Sequence, residues 1–225
     1  MGSLSHLSVR SGHCVSLYHF LSAALGEFLL ELCVNAADGY PIHHTSCARL
    51  FSAALDSENN VWTFTSWGRP FRLGCHPVDK SSPDTTPVQV ECGWSFAAIL
   101  MESGDVLAYW PHSGSISQEL HVVNTSLDQV PTSKAHVSVG QPNVIPCHTW
   151  TLQNIDPARL PAIPNDLPPL PSTQGSTTLG NKVVKVAALD NVLIALTNQG
   201  HVLKYDMLSG EDQWRSGRWE YVSFR

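Results

Sequence analysis

The chain has 225 residues, 43% of them hydrophobic, with a formal net charge of −6 and charged side chains at only 14%. A chain of this length can bury roughly 70% of its unfolded surface, and a charged fraction well under the usual ~25% fits a mostly buried β architecture. The acidic balance and the lack of any Lys/Arg run remove the phosphate-backbone attraction on which nucleic-acid affinity depends, so nucleic-acid partners are excluded.

Residues 1–44 stand apart from the rest. Across 15–34 the apolar Tyr18, Leu21, Leu25, Phe28, Leu29 and Leu32 fall at helical spacing, with His19, Glu27 and Glu31 off that stripe. The spacing predicts one amphipathic helix packed on the neighbouring domain. Glu27 and Glu31 argue against a membrane span, because each costs a few kcal/mol at a bilayer centre when charged. They also argue against a signal peptide.

From residue 45 onward one pattern recurs. Residues 45–64, 90–109 and 186–205 align without a gap when Leu55, Leu100 and Leu196 are superposed. Each has a short apolar run (SAAL, AAIL, LIAL), then a turn residue (Asn59, Gly104, Gly200), a polar residue (Asn60, Asp105, His201), a valine (Val61, Val106, Val202) and a terminal aromatic (Phe64, Tyr109, Tyr205). Asn and Gly tolerate the positive φ that a tight hairpin needs, so the unit is a β-hairpin used repeatedly. The turns are 45 and 96 residues apart, which predicts a degenerate fourth copy around 138–152 and a period suited to a propeller blade. Between the copies, 80–87 reads as a polar insertion. Residues 157–171 (PARLPAIPNDLPPLP) read as a proline-fixed inter-blade loop, with a Pro-x-x-Pro pattern at 168–171.

The repeat resembles that of the regulator of chromosome condensation family, with Cys92, Gly93, Ala97, Leu100, Gly104, Val106 and Tyr109 the best copy. The family histidine is replaced by Phe51, Phe96 and Val192, and Trp67-Gly68 lies three residues late. The wording of 49–73, 90–111 and 181–207 is similar to the fungal F-box proteins with such repeats, the SCF-associated factor group. That resemblance implies an F-box docked on the Skp adaptor and a propeller recruiting ubiquitination substrates, in the cytoplasm or nucleus. A closed propeller needs about four to eight blades, and this chain supplies three or four. The expected fold is therefore all-β, a partial, open β-propeller with an amino-terminal helix, read as a truncated product. The same repeat also implies an alternative, guanine-nucleotide exchange on a small GTPase.

Arg69, Phe71 and Arg72 form the expected protein contact set, since arginine and aromatics dominate interface hot spots. Gly93-Trp94-Ser95-Phe96-Ala97 approximates a nucleophile elbow. The repeat register nevertheless predicts a hairpin there, without assignable acid and base partners, so Ser95 is read as non-catalytic. Cys47 and Cys92 occupy equivalent positions and read as repeated buried thiols. His43, His44, Cys47, Cys75 and His76 lack the spacing of a zinc site. No metal, no cofactor and no enzymatic activity are expected.

Overall fold

The computed structural model describes residues 15–23, 26–34, 42–65, 70–74, 86–128, 150–152, 155–170 and 180–223. Its strands in chain order are β1 (Val15–Ala23), β2 (Gly26–Val34), β3 (Ile42–Cys47), β4 (Ser52–Asp56), β5 (Val61–Phe64), β6 (Pro70–Leu73), β7 (Pro87–Cys92), β8 (Ala97–Met101) and β9 (Val106–Tyr109). Helix α1 (Gly114–Asp128) follows, then β10 (Trp150–Leu152), β11 (Ala158–Arg159), β12 (Val183–Ala188), β13 (Leu193–Thr197), β14 (Val202–Tyr205) and β15 (Trp219–Tyr221).

Three sheets repeat one plan. Strands β3-β4-β5-β6, β7-β8-β9-β11 and β12-β13-β14-β15 are each antiparallel and ordered as written. The first three strands of each sheet begin and end at residues equivalent under the sequence repeat. Even the irregularity in the first strand recurs, between Ile42 and His44, Pro87 and Gln89, and Val183 and Lys185. The central turns match as well. Asn59, Gly104 and Gly200 have φ of 61°, 97° and 93°, and each donates its N–H over 2.9 Å to the carbonyl three residues back. All three sit in the left-handed region that Gly and Asn occupy most readily.

The first strands lie closest together. Strand β7 packs against β3 and β4 on one side and β12 on the other, so the sheets fan outward from a shared inner edge as three propeller blades in an open arc. Cores lie between blades. Phe51, Leu55, Phe71, Val90, Ile99, Tyr109 and their neighbours fill the first seam; Phe96, Leu100, Val186, Leu193, Leu203 and Tyr205 fill the second.

A clasp recurs at the inner edge. His44 Nε2 lies 2.9 Å from the Val90 carbonyl oxygen, and at the equivalent place in the next seam Gln89 Nε2 donates to Val186 O at 2.8 Å. Gln89 also accepts from Val186 N–H at 3.0 Å, which satisfies both main-chain groups of one residue. The equivalent third position, Lys185, is exposed.

Several expectations need correction. Residues 15–23 and 26–34 are strands where a helix was expected: β1 and β2 pair antiparallel from Val15↔Val34 to Ala23↔Gly26. Gly26 interrupts the helical stripe at a cost of about 1 kcal/mol relative to Ala, and Val, Tyr and Phe suit strands. Among the described residues the α-helix is instead α1, whose Ile116 and Leu120, one turn apart, are buried in the first seam. The described end of the expected fourth copy, β10, pairs parallel to β6 and covers the outer edge of the first blade; 138–149 lie outside the described residues. The proline-rich stretch is more than a loop. Its proline-free tripeptide 158–160 closes the second blade, through β11 on β9 and Leu160 N–H to Val106 O at 2.9 Å. Its flanking Pro157 and Pro161 cannot donate to such a ladder. Farther on, the stretch is pinned to the third blade, where Trp219 Nε1 donates to Pro161 O at 2.7 Å and His201 Nε2 lies 2.8 Å from Pro168 O.

Candidate protein-recognition face

Each blade turns from its first to its second strand through four residues, 48–51, 93–96 and 189–192. In each turn the first N–H donates to the fourth carbonyl at 2.8 Å. The repeat thereby brings Arg49, Trp94 and Asp190, which occupy equivalent positions, into a row at one end of the arc. The Arg49 guanidinium carbon lies 4.9 Å from the centroid of the Trp94 ring, a cation–π contact from the first blade to the second. Trp94 N–H donates to Asp190 O at 2.8 Å, joining the second blade to the third.

Gly93 makes that approach attainable. A Cβ there would sit 2.2 Å from Phe96 Cε1 and 2.6 Å from Leu189 O, so only glycine lets the two turns come this close. Behind them, Leu208 and Ser209 are bound tightly. Ser95 Oγ donates to Ser209 O at 3.1 Å, Trp110 Nε1 donates to Leu208 O at 2.9 Å, and Leu208 N–H donates to Asn191 O at 3.2 Å.

Large apolar side chains stand out on this rigid base. Leu50 is 64% exposed, Leu189 59%, Trp94 48% and Met207 41%, while Leu208 beneath them is fully buried. His112 supports the first turn, with Nε2 3.4 Å from Leu50 O and its ring edge-on to Phe51. An arginine stacked on a half-exposed tryptophan amid exposed aliphatics has the composition of an interface hot spot.

The residues expected from sequence fare differently. Arg69 lies outside the described residues, as do Trp67 and Gly68. Phe71 is fully buried in the first seam and stacks on Trp150 at 6.2 Å, so it is a core residue and no exposed contact. Arg72 is partly buried, its Nη1 3.4 Å from Asn60 Oδ1. The reason is strand geometry: Pro70–Leu73 is the fourth strand of a blade and alternates its side chains between two packed faces. Arg49 was not singled out in the sequence, and Trp94 entered only as the variable residue beside Ser95. The signal available was the register itself, which places 49, 94 and 190 together.

The chemistry elsewhere is sparse. Ser95 donates to main-chain carbonyls, and its hydroxyl faces no histidine among the described residues. No group of three or more His, Cys, Asp or Glu side chains is placed to hold a metal among the described residues; Cys75 and His76 lie outside them. A cavity of about 320 Å³ opens between the start of α1, residues 155–159 and the 3₁₀ turn Trp214–Ser216. Its Arg159 is engaged by Asp105 and its Arg215 lies 4.7 Å from the Trp214 ring centroid.

At the inner edge, Glu91 accepts from Ser46 Oγ at 3.1 Å and Gln89 Nε2 at 2.9 Å, and lies 3.3 Å from His44 Nε2. Burial alone would raise the Glu91 pKa, but the hydrogen bonds from His44, Gln89 and Ser46 outweigh it and hold the carboxyl below its ordinary value. The bond to Glu91 in turn raises His44, against the opposing effect of burial. Burial raises the Cys47 thiol, and far more strongly that of Cys92, whose Sγ donates to Ser46 O at 3.3 Å. Neither cysteine is bonded to another, and a raised thiol is a poor nucleophile.

No protein-family profile matches the chain, and no curated protein matches its sequence. In structure it is similar to human WBSCR16, at 15% identity and a TM-score of 0.45, over 87% of this chain and 43% of that one. It is also similar to Prp20p from Saccharomyces cerevisiae, a protein described with its binding to Gsp1p and histones, at 14% identity and a TM-score of 0.42, over 82% and 38%. Yeast RCC1 (Prp20) bound to Kap60 aligns at 11% identity and a TM-score of 0.41, over 87% and 38%. The chain spans about two-fifths of the length of these solved structures.

Proposed function

We propose that this chain is a protein-recognition module without catalytic chemistry of its own, and that it binds through the end of the arc carrying turns 48–51, 93–96 and 189–192. The observation that carries this reading is Arg49 stacked on half-exposed Trp94, in a row with exposed Leu50, Leu189 and Met207. Loops held by sheets escape the ladder and keep a fixed shape, so such a row costs little entropy to present. On the wording of its repeats, the proposed partners are ubiquitination substrates in the cytoplasm or nucleus. The Skp adaptor would be engaged by an F-box in the full-length form.

The test is quantitative capture with the full chain as wild type, Trp94→Ala and Arg49→Glu, after circular dichroism has shown that the variants fold. Partners should be lost by at least tenfold in both variants, the scale on which a hot-spot residue acts. Capture that is indifferent to both substitutions would refute the proposed face. Two direct assays separate the finer readings: association with purified Skp adaptor in a longer product supports the ligase receptor, whereas accelerated release of labelled guanine nucleotide from a small GTPase supports exchange.

A further inference from the structure

We infer that the Arg49–Trp94 row recognises a short protein segment carrying one carboxylate side chain beside an aliphatic one, an inference that rests on the recognition reading above. The Arg49 guanidinium faces the Trp94 indole, and it has no carboxylate or carbonyl partner among the described residues. Its N–H donors lie in the guanidinium plane and remain directed along its edges, the geometry that a carboxylate meets with two parallel hydrogen bonds. Its place over the indole also removes water from the side of the guanidinium toward the ring, which lowers the desolvation cost of pairing.

The surroundings define the rest of the segment. Leu50, next in sequence to Arg49, is 64% exposed, and the half-exposed Trp94 ring follows on the neighbouring blade, so an aliphatic side chain beside the carboxylate finds apolar surface to cover. Asp190 is exposed one blade farther along the row. It opposes a second acid there, and the net charge of −6 opposes a strongly acidic segment at long range. The occupant therefore carries a single acid among aliphatics rather than an acidic run.

Fluorescence anisotropy with the full chain tests this. The probe is a fluorescein-labelled, carboxy-amidated peptide with one glutamate flanked by leucines in a Gly/Ser frame, compared with versions carrying glutamine or lysine at that position. The glutamate peptide should bind about tenfold tighter than the glutamine one, the scale of a charge-assisted pair. Arg49→Gln should erase that difference, and Trp94→Ala should weaken both peptides. Equal affinity for glutamate and glutamine, or discrimination that survives Arg49→Gln, overturns the inference. If equal binding is still lost in Trp94→Ala, the recognition face stands and only its preference for a carboxylate falls. If a free carboxy-terminal leucine peptide with glutamine binds as tightly as the amidated glutamate peptide, the carboxylate read is a chain terminus and the side-chain assignment is overturned. If no peptide binds, the inference falls and partner capture decides the recognition reading separately.

Discussion

The second and third blades are built on the same hairpin in the same register, yet they live in different surroundings. Ala98, Leu100, Val106 and Ala108 on the second blade are all buried, because the third blade lies over them. Their equivalents on the third blade are Ile194, Leu196, Val202 and Lys204; Leu196 is 38% exposed and the other three are partly so. Strand β8 is buried at every residue, whereas β13 alternates. The hairpin thus forms with either environment, which locates its specification in the turn and the pairing register. The burial that stabilises it comes from the neighbouring blade.

That contrast can be broken most forcefully at Leu100 and Leu196. Leu100→Ala removes a buried side chain from between two blades and should cost about 2–5 kcal/mol. Leu196→Ala at the superposed position should cost under about 1 kcal/mol. Urea unfolding of the two variants measures both, and equal losses would mean that the third blade is covered after all. Next in size is the clasp. Gln89→Leu strands both the N–H and the carbonyl of Val186 and should cost about 1–3 kcal/mol. Lys185→Leu, at the equivalent place and with no blade beyond it among the described residues, should change stability by less than about 0.5 kcal/mol.

The two seams also differ in how they respond to pH. His44, raised, contributes stability that is complete below the ordinary histidine pKa of 6.5 and is lost as pH rises through its folded value. Glu91, lowered, contributes stability present above the ordinary carboxylate pKa of 4.5 and lost as pH falls through its folded value. The first seam is therefore tightest between about pH 4.5 and 6.5 and weakens on either side. His44→Gln makes its clasp like the neutral one of the second seam, and the melting temperature of that variant should vary less across pH 6–8 than the wild type's. Arg159→Ala, which removes an exposed partner of Asp105, should likewise have a small effect, at most about 1 kcal/mol in thermal unfolding.

What could be read in the sequence follows the same division. The hairpin turns were legible because positive φ at Asn59, Gly104 and Gly200 is a local demand that only a few residue types meet easily. The three second strands and three third strands were legible because apolar runs of matching length recur at fixed offsets. The fourth strands were not, since Pro70–Leu73, Ala158–Arg159 and Trp219–Tyr221 follow their hairpins at unequal distances and share no residue pattern. The pairing of 15–23 with 26–34 was hidden by an apolar stripe that satisfies helical spacing equally well. Helix α1 was missed because it interrupts a blade between its third and fourth strands, where the repeat predicts none. The candidate face was half legible. Trp94 and Arg49 could be placed in register, but their stacking and exposure depend on how closely adjacent blades approach at Gly93, a tertiary fact.

The most direct test of the account is amide hydrogen exchange on the full chain with and without a captured partner, because the two ends of the arc carry separate sets of turns. Binding through the proposed face predicts protection in 48–51, 93–96 and 189–192, with the hairpin turns at 57–60, 102–105 and 198–201 unchanged. Protection of the hairpin turns alone, with exchange around Arg49 and Trp94 unaltered, would contradict it.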